Sequence, residues 1–369
     1  MAKNNIKKTI LYEHHIKLGA KMCIFSGFYM PLLYQSSLKE HMHVRNYSGI
    51  FDVSHMGKFI VKGMHSKSLI QYLTTNNIYI LKNGQAQYTC LINDKGGIID
   101  DLVIYQISEY KFLLIVNAIN IEKNKKWIKK YIKKWGYAIE LLDMSQEYSL
   151  LSIQGPSTLS NIQKFTNISL LNIPFYHFVI GDFLNIKNVL ISRTGYTGSK
   201  GIEIYVSNEH TEKIWNSILE IKNHEIIPCG ISSRDSLRLE MGYRLYGKDI
   251  NENITPIESG LSWIVKFDKK FISKKILENQ KKTKNHKIFF PFYVEKTSFC
   301  IPRSGTILID KNETQVGYVT SGTFSPLLKK GIGLGYLYKK NILTHPIYLS
   351  IRNHKVLVTK TNIPFIKNK

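Results

Sequence analysis

Arginine is scarce in this sequence. Of 51 basic residues only seven are Arg, at positions 45, 193, 234, 238, 244, 303 and 352, and the rest are Lys. The formal net charge of +24 over 369 residues would otherwise suggest a nucleic-acid binder. Nucleic-acid readers depend on the bidentate guanidinium fork, and none of their sequence modules is present, so no nucleic-acid partner is expected. The lysine excess fits compositional drift in an AT-rich genome, with attraction to acidic partners as the alternative. Cysteine is sparse too: Cys23, Cys90, Cys229 and Cys300 are scattered without C-x-x-C spacing. That excludes a zinc ribbon or disulfide scaffold and fits a reducing compartment. Histidines pair at His14-His15 and His41-Met42-His43, but no carboxylate or thiol completes a ligand pattern, so no metal is expected. No apolar run reaches membrane-spanning length, and Met1 to Lys8 lack the apolar core of a signal peptide. Neither G-x-G-x-x-G nor a Walker motif occurs, and no internal repeat is evident.

What is present is an ordinary globular composition, 43% hydrophobic and 21% charged, in a chain long enough for two or three domains. A helix-like stretch runs from Tyr34 to Arg45. Strands are expected at Lys58 to Val61, Gln87 to Ile92, Ile98 to Ile107 and Lys111 to Val116. Asn120 to Trp135 has a helical period, with Trp127, Tyr131 and Trp135 recurring every four residues and seven lysines on its other faces. That lysine face reads as solvated, with docking of an acidic partner as the alternative. Strands and helices alternate to about Lys270, and Ser273 to Lys287 reads as a linking segment. Beyond it the pattern is all-β: Lys287 to Glu295, Thr306 to Asp310, Gln315 to Thr320, Gly331 to Tyr338 and His345 to Thr359, a separate barrel or sandwich.

Three segments carry candidate chemistry. In Gly96-Gly97-Ile98-Ile99-Asp100-Asp101-Leu102-Val103-Ile104-Tyr105, two adjacent carboxylates interrupt an apolar run of the kind that forms strands buried on both faces. An ionised carboxylate there needs a partner. Strand neighbours point to opposite faces, so the two acids have separate tasks, and the residues alone do not say which is which. In Ser192-Arg193-Thr194-Gly195-Tyr196-Thr197-Gly198-Ser199-Lys200-Gly201-Ile202-Glu203-Ile204-Tyr205, three glycines form a tight turn that lets the backbone approach a ligand. Glu203 follows in a strand, where it fits either a heterocycle with adjacent N–H donors or an edge-strand salt bridge. In Gly230-Ile231-Ser232-Ser233-Arg234-Asp235, the Ser232/Asp235 spacing predicts a capping box opening a helix. Arg234 in its first turn opposes the helix dipole, which points either to a ligand or to an ion pair with Asp235 or Glu240.

Taken in order, these segments resemble the aminomethyltransferase (T-protein) family of the glycine cleavage system. The resemblance rests on LGAKM, SGF-x-MPL-x-Y, GIFDVSHMG, NDKGGIIDDLVIY, IVNAINIEKN, IQGP, SRTGYTG, SRDSLRLE, LYGKDINENITP, GLSWIV and TSGTFSP, which span nearly the whole chain. It implies an α+β protein of three lobes in a cloverleaf, with a folate-binding catalytic region of two interwoven lobes over residues 1–280 and a C-terminal β-barrel over residues 281–369. The implied reaction transfers the methylene carbon from the aminomethyl-dihydrolipoyl arm of H-protein to tetrahydrofolate, releasing ammonia. Glycine decarboxylase and dihydrolipoyl dehydrogenase are the implied system partners. By the same resemblance Asp101 activates folate N10, in an apolar setting expected to raise its pKa, while Asp100 is its structural neighbour. Glu203 holds the pterin amino edge and Arg234 binds folate. Met56, Tyr88, Val103, Tyr105, Asn117 and Tyr196 line the site, and Trp263 supports the channel wall.

The sequence departs from the family pattern at Phe28 for Trp, Ile24 for an acid, Ser233 for Ala and Lys248 for Gln. The family's C-terminal arginine is Lys367 here, which keeps the charge but loses the fork. A dehydrogenase-linked folate domain is disfavoured by the lack of a flavin domain. The paralogue supporting iron–sulfur proteins is disfavoured because its K-G-C-Y motif is absent, the chain reading Arg244-Leu245-Tyr246-Gly247-Lys248. Family-like sequence from Lys8 onward suggests no presequence and a bacterial cytoplasmic protein, with no membrane partner.

Overall fold

A computed structural model of the chain describes residues 6–221, 225–283, 286–295, 300–338, 346–352 and 354–367. By density of contact the chain divides into two units. The first runs to Gln71 and adds Ile78–Thr89 and Leu102–Asp235; the second has Tyr72–Asn77, Cys90–Asp101 and everything from Ser236.

The first unit begins with a short helix, α1 (Tyr12–Lys17), and a three-stranded sheet of order β1-β3-β2, from β1 (Lys7–Lys8), β2 (Lys21–Phe25) and β3 (Phe28–Leu33). The β2–β3 hairpin turns at Ser26 and Gly27, both with positive φ. Its strands, Lys21 to Leu33, escape the sequence reading because aromatics and turn residues mask the alternation. Helix α2 (Ser37–Asn46) follows, capped by the Ser36 hydroxyl, which accepts from the Lys39 N–H.

Two larger sheets follow. One has the order β11-β12-β13-β10-β4-β14, built from β4 (Ser48–Asp52), β10 (Tyr148–Gln154), β11 (Phe178–Phe183), β12 (Ile186–Ser192), β13 (Gly201–Ser207) and β14 (Ile226–Pro228). On β13, Ile202 and Ile204 enter a core with Leu159 and Ile162 of α5 (Thr158–Ile162) and with Ile214, Trp215 and Ile218 of α6 (Asn208–Leu219). Glu203 takes the opposite face because side chains alternate along a strand. The other sheet has the order β6-β7-β8-β5-β9, from β5 (Gly57–Lys62), β6 (Gln85–Ile92), β7 (Ile98–Ser108), β8 (Lys111–Val116) and β9 (Glu140–Asp143). Helices α3 (Ser66–Leu73) and α4 (Ile121–Trp135) complete this part of the chain. The burial of Ile121, Asn124, Ile128 and Tyr131 leaves most of the lysines of α4 facing outward, as its period predicts.

The second unit holds the tip of the β6–β7 hairpin, the end of α7 (Ile231–Glu240), α8 (Lys274–Thr283) and a closed barrel. The barrel order is β15-β18-β17-β16-β19-β20, formed by β15 (Ile288–Val294), β16 (Ile307–Ile309), β17 (Gln315–Ser325), β18 (Lys330–Leu337), β19 (Ile347–Ile351) and β20 (His354–Lys360). Phe290, Phe292, Val319, Leu337, Leu349 and Val358 fill its interior. The single strand expected over His345 to Thr359 is instead the β19–β20 hairpin, with Arg352 at positive φ before the reversal. His345 itself lies outside the described residues. The fold is therefore a mixture of helix and sheet ending in a six-stranded barrel, as expected.

Arg238, wholly buried in the second unit, donates through Nη1 to Asp249 Oδ2 at 2.7 Å and through Nη2 to Ser321 Oγ at 2.9 Å. The Ser321 contact ties the end of α7 to the barrel strand β17.

Candidate active site

The site in the first unit is laid out by strand register. Ser192, Glu203, Ser152 and Phe51 stand opposite one another across β12, β13, β10 and β4, so their side chains form one row on one face. Strand β13 is internal, which removes the edge-strand reading of Glu203. The Thr194 hydroxyl donates to Glu203 Oε2 at 2.6 Å. Thr194 Oγ1 lies 3.1 Å from the Tyr105 hydroxyl, which is 2.7 Å from that of Tyr205. Each hydroxyl has one proton, so a consistent assignment runs Tyr205 to Tyr105 to Thr194 to the carboxylate. Burial, then the Glu203 charge, pushes the Tyr105 phenol well above its ordinary range. Among the described residues no group donates to Glu203 Oε1.

Arg234 reaches the same face. Strand β14 pairs in parallel with β4 and delivers the chain to α7, whose first turn carries Arg234. The guanidinium carbon is 5.9 Å from the centre of the Phe51 ring and 5.0 Å from that of Tyr196. Its Nη1 is enclosed and has no hydrogen-bond partner among the described residues. Burial lowers the arginine pKa, with Glu203 as the leading charge in the opposite direction. The acid that acts on its charge is Glu203, rather than the Asp235 or Glu240 of the alternative reading. The capping box also needs correcting: α7 starts at Ile231, so Ser232 is already inside it. The helix start is held by Glu40 of α2. Glu40 Oε2 accepts from the Gly230 N–H at 2.8 Å and the Ser233 hydroxyl at 3.1 Å, and Oε1 accepts from the Tyr34 and Gln35 N–H groups.

The glycine turn after β12 faces the protein interior. A Cβ on Gly195 would overlap Gln154 Oε1, and one on Gly201 would overlap the Ile153 carbonyl. The Gln154 amide fills the hollow, donating to the carbonyls of Thr194 and Ile202 and accepting from the Thr197 hydroxyl. The close backbone approach at Gly195 is thus to Gln154.

Between β4 and β5, the loop Val53 to Met56 presents His55 and Met56. The His55 ring packs edge-on at 5.6 Å from Phe25, and its Nδ1 is buried without a partner among the described residues. Burial pushes its pKa down to about 4, with Arg234 and Lys58 acting in the same direction and Asp52 against them. Behind the loop, Asp52 Oδ2 is 3.0 Å from His15 Nε2, and His15 Nδ1 is 2.8 Å from the Tyr34 hydroxyl, a buried chain that the sequence reading missed.

The structure therefore brings Glu203, Arg234, Tyr196 and Tyr105 together, Tyr105 lying behind the carboxylate with no exposed surface. Met56, Tyr88, Val103 and Asn117 are each partly buried in the same unit. Asp101, Trp263 and Lys367 belong to the second unit. There Asp100 is wholly buried whereas Asp101 is partly accessible, so the two faces of β7 differ in exposure at this point. Both acids raise the pKa of the Cys90 thiol after burial, and Arg244 opposes them. Trp263 is 61% exposed, and Lys367 is exposed.

Comparison with known proteins gives this geometry a family. Residues 11–269 match the GCVT N-terminal domain, and residues 289–367 match the glycine cleavage T-protein C-terminal barrel domain. An aminomethyltransferase of Flavobacterium psychrophilum is 44% identical over 98% of this chain and all of its own length. One from Phocaeicola vulgatus is 42% identical with the same coverage. The crystal structure of glycine cleavage system aminomethyltransferase T from Bartonella henselae superposes with a TM-score of 0.90 at 28% identity, covering 98% of each chain. The chain belongs to the aminomethyltransferase family of glycine cleavage T-proteins.

Proposed function

We infer that this chain transfers the one-carbon unit of an aminomethyl-dihydrolipoyl arm, carried by H-protein, to tetrahydrofolate, giving 5,10-methylenetetrahydrofolate, ammonia and the reduced arm. The observation that carries this reading is the enclosed Nη1 of Arg234, without a hydrogen-bond partner among the described residues, beside a carboxylate with one oxygen that accepts from none of them. A buried donor without an acceptor is costly, so a ligand acceptor is the natural partner. The aromatic faces of Phe51 and Tyr196 suit a flat ligand whose edge carries polar groups.

In this reading Glu203 accepts hydrogen bonds from the amino edge of the pterin, held in place by Thr194 and, behind it, Tyr105. Arg234 donates to an acceptor on the same ligand. Met56, Tyr88, Val103, Asn117 and Tyr196 line its binding surface, and Lys367 supplies a positive charge without the bidentate geometry of the family's arginine. Asp101 orients N10 and manages its proton, and Asp100 is structural. Binding and orientation of two delivered reactants supply most of the acceleration, ~7–11 kcal/mol in favourable intramolecular cases. The carboxylate at N10 adds proton handling. Residues 1–280 form the catalytic region and 281–369 the barrel domain. The remaining partners are glycine decarboxylase and dihydrolipoyl dehydrogenase, in a bacterial cytoplasm. Among the described residues no helix is long and apolar enough to cross a membrane.

The decisive experiment follows methylene transfer from aminomethylated H-protein to tetrahydrofolate in wild type and Asp101→Asn. Folate binding is expected to survive the substitution while turnover collapses; equal turnover would remove Asp101 from the mechanism.

A further inference from the structure

Lys58, at the start of β5, is 1% exposed, an unusual position for a lysine. Its ammonium donates to the carbonyls of Ser54 at 2.8 Å and Met56 at 2.9 Å, and lies 3.4 Å from that of Ser145. Among the described residues no carboxylate comes within 4 Å of it. The ammonium therefore serves backbone acceptors, two of them in the loop that carries His55 and Met56. The same loop is pinned at its other end, where Asp52 Oδ1 accepts from the Ser54 N–H at 2.9 Å. The Lys58 N–H donates to Ser145 Oγ at 3.0 Å, which fixes the base of the lysine as well. Gly57 completes the arrangement, because a Cβ there would lie 2.5 Å from Val116 and 2.6 Å from Ile121.

We propose that Lys58 is a positioning residue for the transfer reaction: its ammonium staples the carbonyls of Ser54 and Met56 and so sets the pose of the His55–Met56 loop at the folate surface. The proposal rests on the reading that Met56 lines the folate site. An apolar residue of the same length would leave three carbonyls without their donor, and a loop with several backbone poses would take the place of one. The loss is expected to fall on ligand binding, because the part given to the loop in this reading is to line the folate surface.

The charged groups facing Lys58 are Asp52 on β4 and Asp143 on β9, with the neutral His55 ring in the loop as the remaining titratable group. Burial lowers its pKa to about 8, against the pull of the two carboxylates. The sign of this shift separates positioning from bulk stabilisation. Above pH 8 the folded chain gives up the Lys58 proton before the unfolded chain does, so this group makes global stability rise with pH. The staple meanwhile loses its charge and one of its three protons, so folate affinity falls over the same range.

The test compares wild type, Lys58→Met and Lys58→Arg under anaerobic conditions, with tetrahydrofolate as ligand and the Met56 methyl resonance as an independent reporter. Lys58→Met is expected to raise KM for tetrahydrofolate about tenfold with kcat within about twofold, and Lys58→Arg to restore most of the loss. An unchanged KM in a folded Lys58→Met protein overturns the proposal, as does an equal loss of kcat and KM that Lys58→Arg leaves uncorrected. Should Lys58→Met fail to fold, the pH profile decides. The rise of KM near pH 8 in wild type must move above about pH 10 in Lys58→Arg, whose guanidinium stays protonated. Coincident profiles overturn the proposal. A Met56 methyl that does not move when wild type is given tetrahydrofolate overturns the reading beneath it and the proposal together.

Discussion

The carboxylate of Glu40 accepts the backbone N–H of Gly230 at 2.8 Å, and this contact decides where α7 begins. Residues 190 positions apart are joined there because Gly230 has no side chain; a Cβ would overlap the Leu32 carbonyl. Arg234 lies four residues further on, so the arginine is aimed by an acid on a different helix. With both oxygens of Glu40 engaged by four donors, the helix start is anchored from the protein interior and needs no capping residue of its own.

Replacing Glu40 with Ala strands those donors in a buried setting. Unsatisfied buried groups cost about 1–3 kcal/mol each. After partial rehydration, a net destabilisation of about 2–4 kcal/mol is expected in urea unfolding, together with weaker tetrahydrofolate binding as α7 loosens. A loss below about 0.5 kcal/mol would show that water replaces the carboxylate and that α7 starts where it does for another reason.

Gly195 packs on an amide, and that gives its substitution a distinct signature. Gly195→Ala pushes against Gln154, so it should lower the unfolding midpoint while leaving the folate affinity of the folded fraction within about twofold of wild type. Differential scanning calorimetry beside a binding titration separates the two effects. A mutant with wild-type stability and lost affinity would return the glycine turn to the ligand.

His55 should give the protein an acid limb. Its pKa in the folded chain, about 4, lies below the ordinary value of 6.5, so the unfolded state takes up the proton first. Stability is then complete above pH 6.5 and declines as the pH falls toward 4, by about 3 kcal/mol if the shift is fully expressed. Asp52 acts in a lower window. Burial raises its pKa, but the His15 hydrogen bond and charge and the Ser54 contacts hold it at about 2, so its contribution is lost only below about pH 4. Urea unfolding at pH 7 and pH 4.5 should show the His55 decline in wild type and a flatter response in His55→Gln. Parallel slopes would contradict the assignment.

Much of this architecture was legible in the sequence because its determinants are local. The lysine helix α4 and the strand Lys111–Val116 follow from residue spacing within a few turns or a single run. The roles proposed for Glu203, Arg234 and Asp101 rest on ordered motifs and not on periodicity. What escaped depends on partners far away in the chain. Glu40, Gln154 and the His15–Asp52 pair look like ordinary helix and strand residues until the fold brings their partners to them. Strand β4 was missed because Ser48–Asp52 reads as an irregular lead-in, and only pairing with β10 and β14 makes it a strand. The capping box at Ser232 failed for the same reason: a local rule was overridden by a carboxylate supplied from α2. Asp100 and Asp101 are the converse case, since strand alternation predicted separate environments but could not say which face is open.

The row of Ser192, Glu203, Ser152 and Phe51 has one more consequence. On β13 the alternation that sends Ile202 and Ile204 into the core is the same alternation that turns Glu203 to the other side. A slip of one residue would bury the acid among isoleucines and expose the isoleucines in its place, an arrangement the core would reject outright. A chain slipped by one residue on β13 therefore has no stable form to occupy. Any chain that passes the test of folding has Glu203 already turned away from the isoleucine core, without a separate act of selection.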